Sequence, residues 1–209
     1  MNPKLLVATR SAGKQTEIQG LMADAPWTVV FPGDRGLYQQ AEEEGIESAG
    51  SFEGNARRKA EYFAKLARLP TLAEDSGLEV LSLGGAPGVQ SRRFAFPVQA
   101  DPLAQDAANN AELLRRLAGA PPERRRARYR CALVFLDRWD GVPRVFEGTC
   151  AGRVLDRPIG TAGFGYDPLF FSDELGKSFG EATPEEKAAV SHRGKAFRAF
   201  LDWLKARPA

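Results

Sequence analysis

The stretch TLAEDSGLEV, Thr71–Val80, sets two acids, Glu74 and Asp75, between a short apolar run and a Ser-Gly pair. A buried carboxylate must be ion-paired, hydrogen-bonded or holding a cation, so acids beside apolar residues imply one of these or full solvation. Mg²⁺ takes one or two carboxylates and completes its shell with phosphate oxygens, and a neighbouring acid can accept a proton from water. A polar hairpin turn explains the same residues as well. TRSAGK, Thr9–Lys14, follows an apolar run and precedes a helical pattern. Backbone amides at a helix start, a glycine and one cation suit a polyphosphate, although an exposed turn with a surface lysine has the same composition. The spacing is not GxxxxGK[ST], so it does not indicate a P-loop. GFGYDP, Gly163–Pro168, offers aromatic rings for stacking on a base and Asp167 as an acceptor from ring N–H groups; its alternative is a turn anchored by core aromatics. SHRGKA contains His192, the only histidine, beside Arg193. The two supply donors for an oxyanion or a purine carbonyl, or else form a helix cap. With one histidine and no activated serine or cysteine, a Ser/His/Asp or Cys/His hydrolase is not indicated.

The elements that must position these residues follow from periodicity. Leu5–Ala8 predicts a buried strand, and a helix follows TRSAGK with Ile18, Leu21 and Met22 at helical spacing, ending before Pro26. Trp27–Phe31 predicts a second strand, and the acidic segment DRGLYQQAEEEGIESAG a loop. Ser51 is placed to cap a helix with Phe52, Ala56, Ala60, Phe63 and Ala67 inward. Two short strands flank the acids, which puts Glu74 and Asp75 at a strand end. A glycine-rich loop, LSLGGAPGVQSRRFA, leads to a helix, DAANNAELLRRLAG, stopped by Gly119. RRRARYR reads as a solvated entry to the strand Cys131–Asp137, with nucleic-acid contact as its alternative. VFEGTCAGRVLD alternates like an antiparallel partner. Thr183 with Glu186 forms a capping box, and a last amphipathic helix runs from Lys195 to Ala206. Intermixed strands and helices, without repeats or linkers, predict one α/β domain over residues 1–209.

With 209 residues, 43% hydrophobic and 27% charged, the chain can bury a sizeable core. A formal charge of +2 gives no reason to expect nucleic acid as a bulk electrostatic partner. Cys131 and Cys150 lack CxxC spacing and read as buried structural residues. The start MNPKLLVATR has too short an apolar core for a signal peptide, and no run reaches the roughly 18 apolar residues of a membrane span. The expected compartment is the cytoplasm, with no membrane partner.

Taken in order, LLVATRSAGK, SFEGNARRKA, AEDSGL, GAPGVQSRRFA, GFGYDPLFF and EEKAAVSHRGKA strongly resemble the inosine triphosphate pyrophosphatase family over nearly the whole chain. The resemblance implies a mixed twisted sheet with flanking helices, two lobes around a nucleotide-binding cleft, and a homodimer. It implies that Thr9, Arg10, Ser11, Ala12, Gly13 and Lys14 line the triphosphate, and that Asp75 is general base and Mg²⁺ ligand with Glu74 beside it. By the same resemblance Ser76 would touch the substrate. Phe164, Gly165, Tyr166 and Asp167 would form the base pocket, completed by Lys187, His192 and Arg193. Asn55 and Lys59, one helical turn apart, would reach the phosphates. A third metal carboxylate is Glu47, counting back from Phe52 without gaps, although the Glu-Gly pattern favours Glu43 or Glu44. Ser11 stands where the family usually has asparagine, and Glu-Asp where Asp-Asp is common.

The implied reaction is hydrolysis of a non-standard purine nucleoside triphosphate (dITP, ITP or XTP) to the monophosphate and pyrophosphate. Lys14, Lys187 and Lys59 would neutralise the leaving group. Hypoxanthine and xanthine carry a carbonyl at C6 where adenine has an amino group, so a donor from Arg193 or His192 would discriminate between them. Rival readings are a pyrophosphatase for other modified nucleotides, a nucleotide-binding protein without hydrolysis, and an RNA-binding module using RRRARYR.

Overall fold

The computed structural model describes residues 2–206. Among them are β1 (Lys4–Val7), α1 (Ala12–Leu21), β2 (Thr28–Val30), α2 (Phe52–Ala67), β3 (Thr71–Val80), α3 (Pro102–Arg116), β4 (Arg126–Leu136), β5 (Arg144–Val154), β6 (Phe170–Ser172), β7 (Lys177–Ser178), α4 (Pro184–Val190) and α5 (His192–Lys205), with short 3₁₀ turns between. The strands form one seven-stranded sheet in the order β2-β1-β3-β4-β5-β6-β7. β1 runs parallel to β2 and β3, while β6 is antiparallel to β5 and β7, so the sheet is mixed. The expected α/β class is what the chain adopts.

Among the described residues, two compact units share these elements: residues 2–75, 131–148 and 194–206, and residues 76–130 and 149–193. The first unit is layered by strand alternation. Leu5, Val7, Leu72, Cys131, Leu133 and Phe135 pack with Ile18 of α1, with Met22 at its C-cap, and with Ala196, Phe197 and Phe200 of α5. Their neighbours Leu6, Ala8, Ala73, Val134 and Leu136 pack instead with Ala56, Ala60, Phe63 and Ala64 of α2. A parallel strand covered on both faces is apolar at every position, which is why LLVA and TLA show no alternation. Burying each leucine contributes about 1.5–3 kcal/mol. Ser51 caps α2 as expected, its side chain accepting from the Gly54 amide. The second unit has a single core, in which Leu113 of α3 and Leu117 at its C-cap meet Leu78, Tyr129, Val154, Tyr166, Phe170 and Phe179. Thr183 and Glu186 close the expected capping box at α4.

The structure corrects several boundaries. The acids do not sit in a turn between two strands: β3 runs unbroken through Glu74, Asp75 and Ser76. The mid-strand position is tolerated because each acid finds a partner on its own face, as described below. RRRARYR is strand from its third arginine onward rather than strand entry throughout: Arg124 and Arg125 close a 3₁₀ turn, and β4 begins at Arg126 and buries Ala127 and Tyr129 on alternate positions. The intervening arginines are paired, Arg126 with Asp173 at 2.8 Å and Arg128 with Glu79 at 2.6 Å. α3 starts at Pro102, capped by Asp101, one turn earlier than the apolar pattern indicated. α5 starts at His192, so SHRGKA opens a helix. No helix among the described residues is long and apolar enough to cross a membrane.

Candidate active site

Successive residues of a strand face opposite sides of the sheet, so Glu74 and Asp75 do not work as a pair. Glu74, 2% exposed, lies on the face of α1 and α5. Its Oε1 is 2.7 Å from Lys14 Nζ on α1, and Cys131 Sγ donates to its Oε2 at 3.6 Å. The extra methylene of glutamate, a departure in the sequence, extends the carboxylate toward that lysine. Asp75, 7% exposed, lies on the opposite face, where Asn55 of α2 donates to its Oδ2 at 2.9 Å. The Asn55 Oδ1 accepts from the Ala49 amide at 2.9 Å, so this amide is oriented from both ends. Lys59, one turn further along α2, forms an ion pair with Glu47 and donates to the Glu74 carbonyl at 3.2 Å.

Charge is held under tension on this second face. Burial raises the Asp75 carboxyl above the ordinary aspartate value, and Glu47 pushes in the same direction, against Lys59, Lys14 and the Asn55 hydrogen bond. For Lys59, burial opposes the charge, but Glu47, Asp75 and Glu74 outweigh it and hold its pKa above the usual lysine value. A carboxylate made more basic than normal and kept within reach of cations is suited to take a proton from water and to meet a metal ion.

The TRSAGK segment is the strand-to-helix turn expected. Ser11 is the N-cap of α1 with no side-chain cap, Thr9 Oγ1 accepts from the Ser11 amide at 3.3 Å, and Gln15 binds the Thr9 carbonyl at 3.0 Å. The first helical amides of Ala12, Gly13 and Lys14 therefore have no carbonyl or capping oxygen of the helix itself to receive them. Arg10 departs from its expected role. Its guanidinium makes two parallel hydrogen bonds of 2.7 Å to Glu43 and lies over the Phe63 ring. Glu43 also accepts from the Gln40 amide. Arg10 thus pins the acidic segment that leads to Glu47, and its planar fork is occupied by a carboxylate rather than left for phosphate.

In the second unit the GFGYDP turn is built around Asp167. This carboxylate is buried and accepts from the Phe164 amide at 2.8 Å and from Lys187 Nζ at 2.5 Å. A side chain on Gly163, whose φ is +77°, would strike the Asp167 carboxylate. Tyr166 is a core residue whose hydroxyl donates to the Ser91 carbonyl at 2.8 Å, with its pKa pushed up by burial first and by Asp106 second. Half-buried Phe164 is therefore the ring available for stacking, with Lys187 Nζ 5.0 Å and the Arg193 guanidinium 5.8 Å from its centroid. Arg193 is buried and donates to Ser76 Oγ at 2.9 Å. His192 is buried too, its ring stacked on Tyr129 at 4.5 Å and 7°.

The structure thus gathers Glu47, Asn55, Lys59 and Asp75 on one face of the first unit and Lys14 with Glu74 on the other. It gathers Ser76, Phe164, Gly165, Lys187 and Arg193 in the second. Three expected contacts change character: Tyr166 and Asp167 hold the turn from inside, and Lys187 serves Asp167 there. The residues missed were polar ones on α3, where Gln105 and Asn109 are buried and Asp106 and Asn110 reach the 163–166 turn. Their signal was present in QDAANN: two polar pairs at i, i+4 within an apolar helix pattern.

The donors of the first unit can be tested against a metal. Among the described residues no three of His, Cys, Asp and Glu converge as a ready-made site. A hard divalent ion bound with a phosphate needs only one or two carboxylates. Asp75, whose ionised form is disfavoured by burial, and Glu47, which adds to that repulsion, are a donor pair that a cation would relieve. Glu74 is excluded by the pleat and by its bond to Lys14. Glu43 is committed to Arg10, and the Glu44 side chain lies outside the described residues.

A mixed α/β sheet with a buried aspartate flanked by lysines, next to an open helix start, defines a protein built for phosphoryl-group chemistry. The Ham1 family model matches residues 5–203, and the chain belongs to that family. It is 42% identical over 203 residues to a dITP/XTP pyrophosphatase of Shigella flexneri, covering 97% of this chain and 98% of the relative. A Thermus thermophilus dITP/XTP pyrophosphatase is 43% identical over 205 residues, covering 98% and 93%. The solved structure of a HAM1 protein from Coxiella burnetii matches with a TM-score of 0.83 at 30% identity, over 98% of this chain and all of that one. The family resemblance seen in the motifs and the expected mixed sheet both hold.

Proposed function

We propose that the chain is a nucleoside triphosphate pyrophosphohydrolase acting on dITP, ITP and XTP, with residues 1–209 working as a single catalytic domain in the cytoplasm. The observation that carries the chemistry is Asp75: buried, oriented by Asn55, and more basic than an ordinary aspartate. The observation that directs it to these substrates is 42% identity, over nearly the full length, to a dITP/XTP pyrophosphatase.

Asp75 accepts the proton of a water molecule as its oxygen attacks the α-phosphorus. The bond from that phosphorus to the bridging oxygen breaks, and pyrophosphate leaves. Asn55 holds the carboxylate oriented, and Lys59 balances the charge accumulating around it. The amides of Ala12, Gly13 and Lys14 bind the phosphate chain, with the Lys14 ammonium kept in place by Glu74. Asp75 and Glu47 would hold Mg²⁺, which when bound supplies positive charge to the phosphate oxygens. In the second unit a purine stacks on Phe164 and meets the donors of Arg193 and Lys187. These favour a carbonyl at C6 and leave adenine's amino group facing a like donor. Arg193 is the reader of that position; the stacked, buried ring of His192 supports it from behind. The family resemblance further suggests a homodimer.

The test is to incubate the purified protein with Mg²⁺ and dITP, XTP, GTP or ATP and to quantify pyrophosphate and orthophosphate separately. Pyrophosphate from dITP and XTP, with little from ATP, is expected. Orthophosphate alone would place the attack at the γ position and overturn the assignment.

A further inference from the structure

α3 presents a polar face that no catalytic argument uses. On it, Asp106 Oδ2 accepts from the Gly165 amide at 2.8 Å, and Asn110 Nδ2 donates to the Gly165 carbonyl at 2.9 Å. One residue of the 163–166 turn is therefore gripped at both of its backbone groups from one helix, by side chains one turn apart. The grip matters because Gly165 has a φ of +62° and sits directly after Phe164. A glycine in this region adopts other conformations at little cost, so its attitude must be imposed from outside. The same helix holds the neighbouring loop: Asn109 accepts from the Ala95 amide at 2.9 Å and donates to the carbonyls of Ser91 and Arg92. Ser91 in turn receives the Tyr166 hydroxyl. Two loops are thereby tied to one rigid element and to each other.

We propose that Asp106 and Asn110 are positioning residues for base selection, fixing the Gly165 peptide and through it the plane of Phe164 on which the purine stacks. The inference rests on the base-reading role given above to Phe164. Neither residue touches substrate. Their effect is that the stacking ring and the cations over it stay in register, so that a C6 carbonyl and a C6 amino group meet the same donors in the same geometry. The polarity of the grip is fixed: the acceptor faces the amide and the donor faces the carbonyl.

The substitutions Asp106→Ala, Asp106→Asn and Asn110→Asp separate this role from mere folding. Both positions are half-buried, so folding is expected to survive, and thermal melting checks that it does. Asparagine keeps an acceptor at position 106, whereas Asn110→Asp sets an oxygen against the Gly165 carbonyl. Asp106→Ala is expected to raise KM for dITP about tenfold and to lower the dITP-to-ATP preference by a similar factor, the scale of one charge-assisted hydrogen bond. kcat should change far less. Asp106→Asn should restore most of the preference, and Asn110→Asp should lose it. Amide hydrogen exchange at Gly165, read without substrate, should accelerate in Asp106→Ala and Asn110→Asp. A folded Asp106→Ala protein with unchanged preference and unchanged Gly165 exchange would overturn the proposal. Accelerated exchange in a protein whose wild type cleaves none of the nucleotides would leave the clamp standing and remove the base-reading role it serves.

Discussion

The first unit and the second handle buried charge in opposite ways. Around Asp75 the acids and lysines of the first unit are arranged so that burial and Glu47 work against ionisation while Lys59, Lys14 and Asn55 work for it. In the second unit Asp167 is saturated: it takes the Phe164 amide and the Lys187 ammonium, and it fills the space a side chain on Gly163 would need. A carboxylate that is to do chemistry must remain unsettled until substrate arrives. One that shapes a turn must be fully satisfied before then. The same residue type is left unsettled in one unit and fully satisfied in the other because of its neighbours.

Removing the unsettled acid should give the largest effect. Asp75→Asn is expected to lower kcat by about 10²–10⁴-fold, the range for losing a general base, as read by pyrophosphate release. The substrate-free protein should meanwhile become more stable. A carboxyl whose folded pKa is raised costs stability once the pH exceeds that pKa, and costs nothing below the unfolded value. Melting temperature of Asp75→Asn should therefore exceed that of the wild type at neutral pH, with the gap closing as the pH falls toward 4, the unperturbed carboxylate range. The acid limb of the activity profile should correspondingly lie at higher pH than an ordinary aspartate would give. An unaltered melting temperature at neutral pH would mean that Asp75 is settled after all and would erase the contrast.

Breaking the satisfied pair should act on stability first. Lys187→Met leaves Asp167 buried and uncompensated, and should cost about 3–5 kcal/mol in chemical denaturation. Adding Asp167→Asn should recover part of this. Glu74→Gln leaves Lys14 beside a neutral amide, with an expected loss of about 1–2 kcal/mol and a kcat reduction smaller than that of Asp75→Asn. Equal losses of kcat for the two acids would show that they share one task despite the pleat. Smallest is Arg10→Gln. The partly exposed pair with Glu43 is worth up to about 1 kcal/mol, and KM for the triphosphate should barely move. A large rise in KM would return Arg10 to the phosphates.

Much of this was legible in the sequence because local chemistry decided it. Ser51 as the cap of α2, the Thr183–Glu186 box and the strand-to-helix turn at TRSAGK depend on residues a few positions apart. The acid turn was misread because a Ser-Gly pair ordinarily ends a strand, and only tertiary partners, Lys14 on one face and Asn55 on the other, let β3 continue. Tyr166 looked available for stacking because sequence spacing does not show that Ser91 receives its hydroxyl 75 residues away. Arg10–Glu43, 33 residues apart, was hidden for the same reason. Asp106 and Asn110 carried a visible i, i+4 spacing, but nothing local named Gly165 as their partner.

The uninterrupted run of β3 through its two acids also makes the number of residues there as constrained as their kinds. Inserting or deleting one residue between Leu72 and Ser76 would exchange the faces of everything beyond it, handing the aspartate to the helix that expects a glutamate. A change of two would restore the faces but carry the carboxylate roughly 6.6 Å along the strand, beyond the reach of Asn55. The length of this segment is therefore held as tightly as the identities of its two acids.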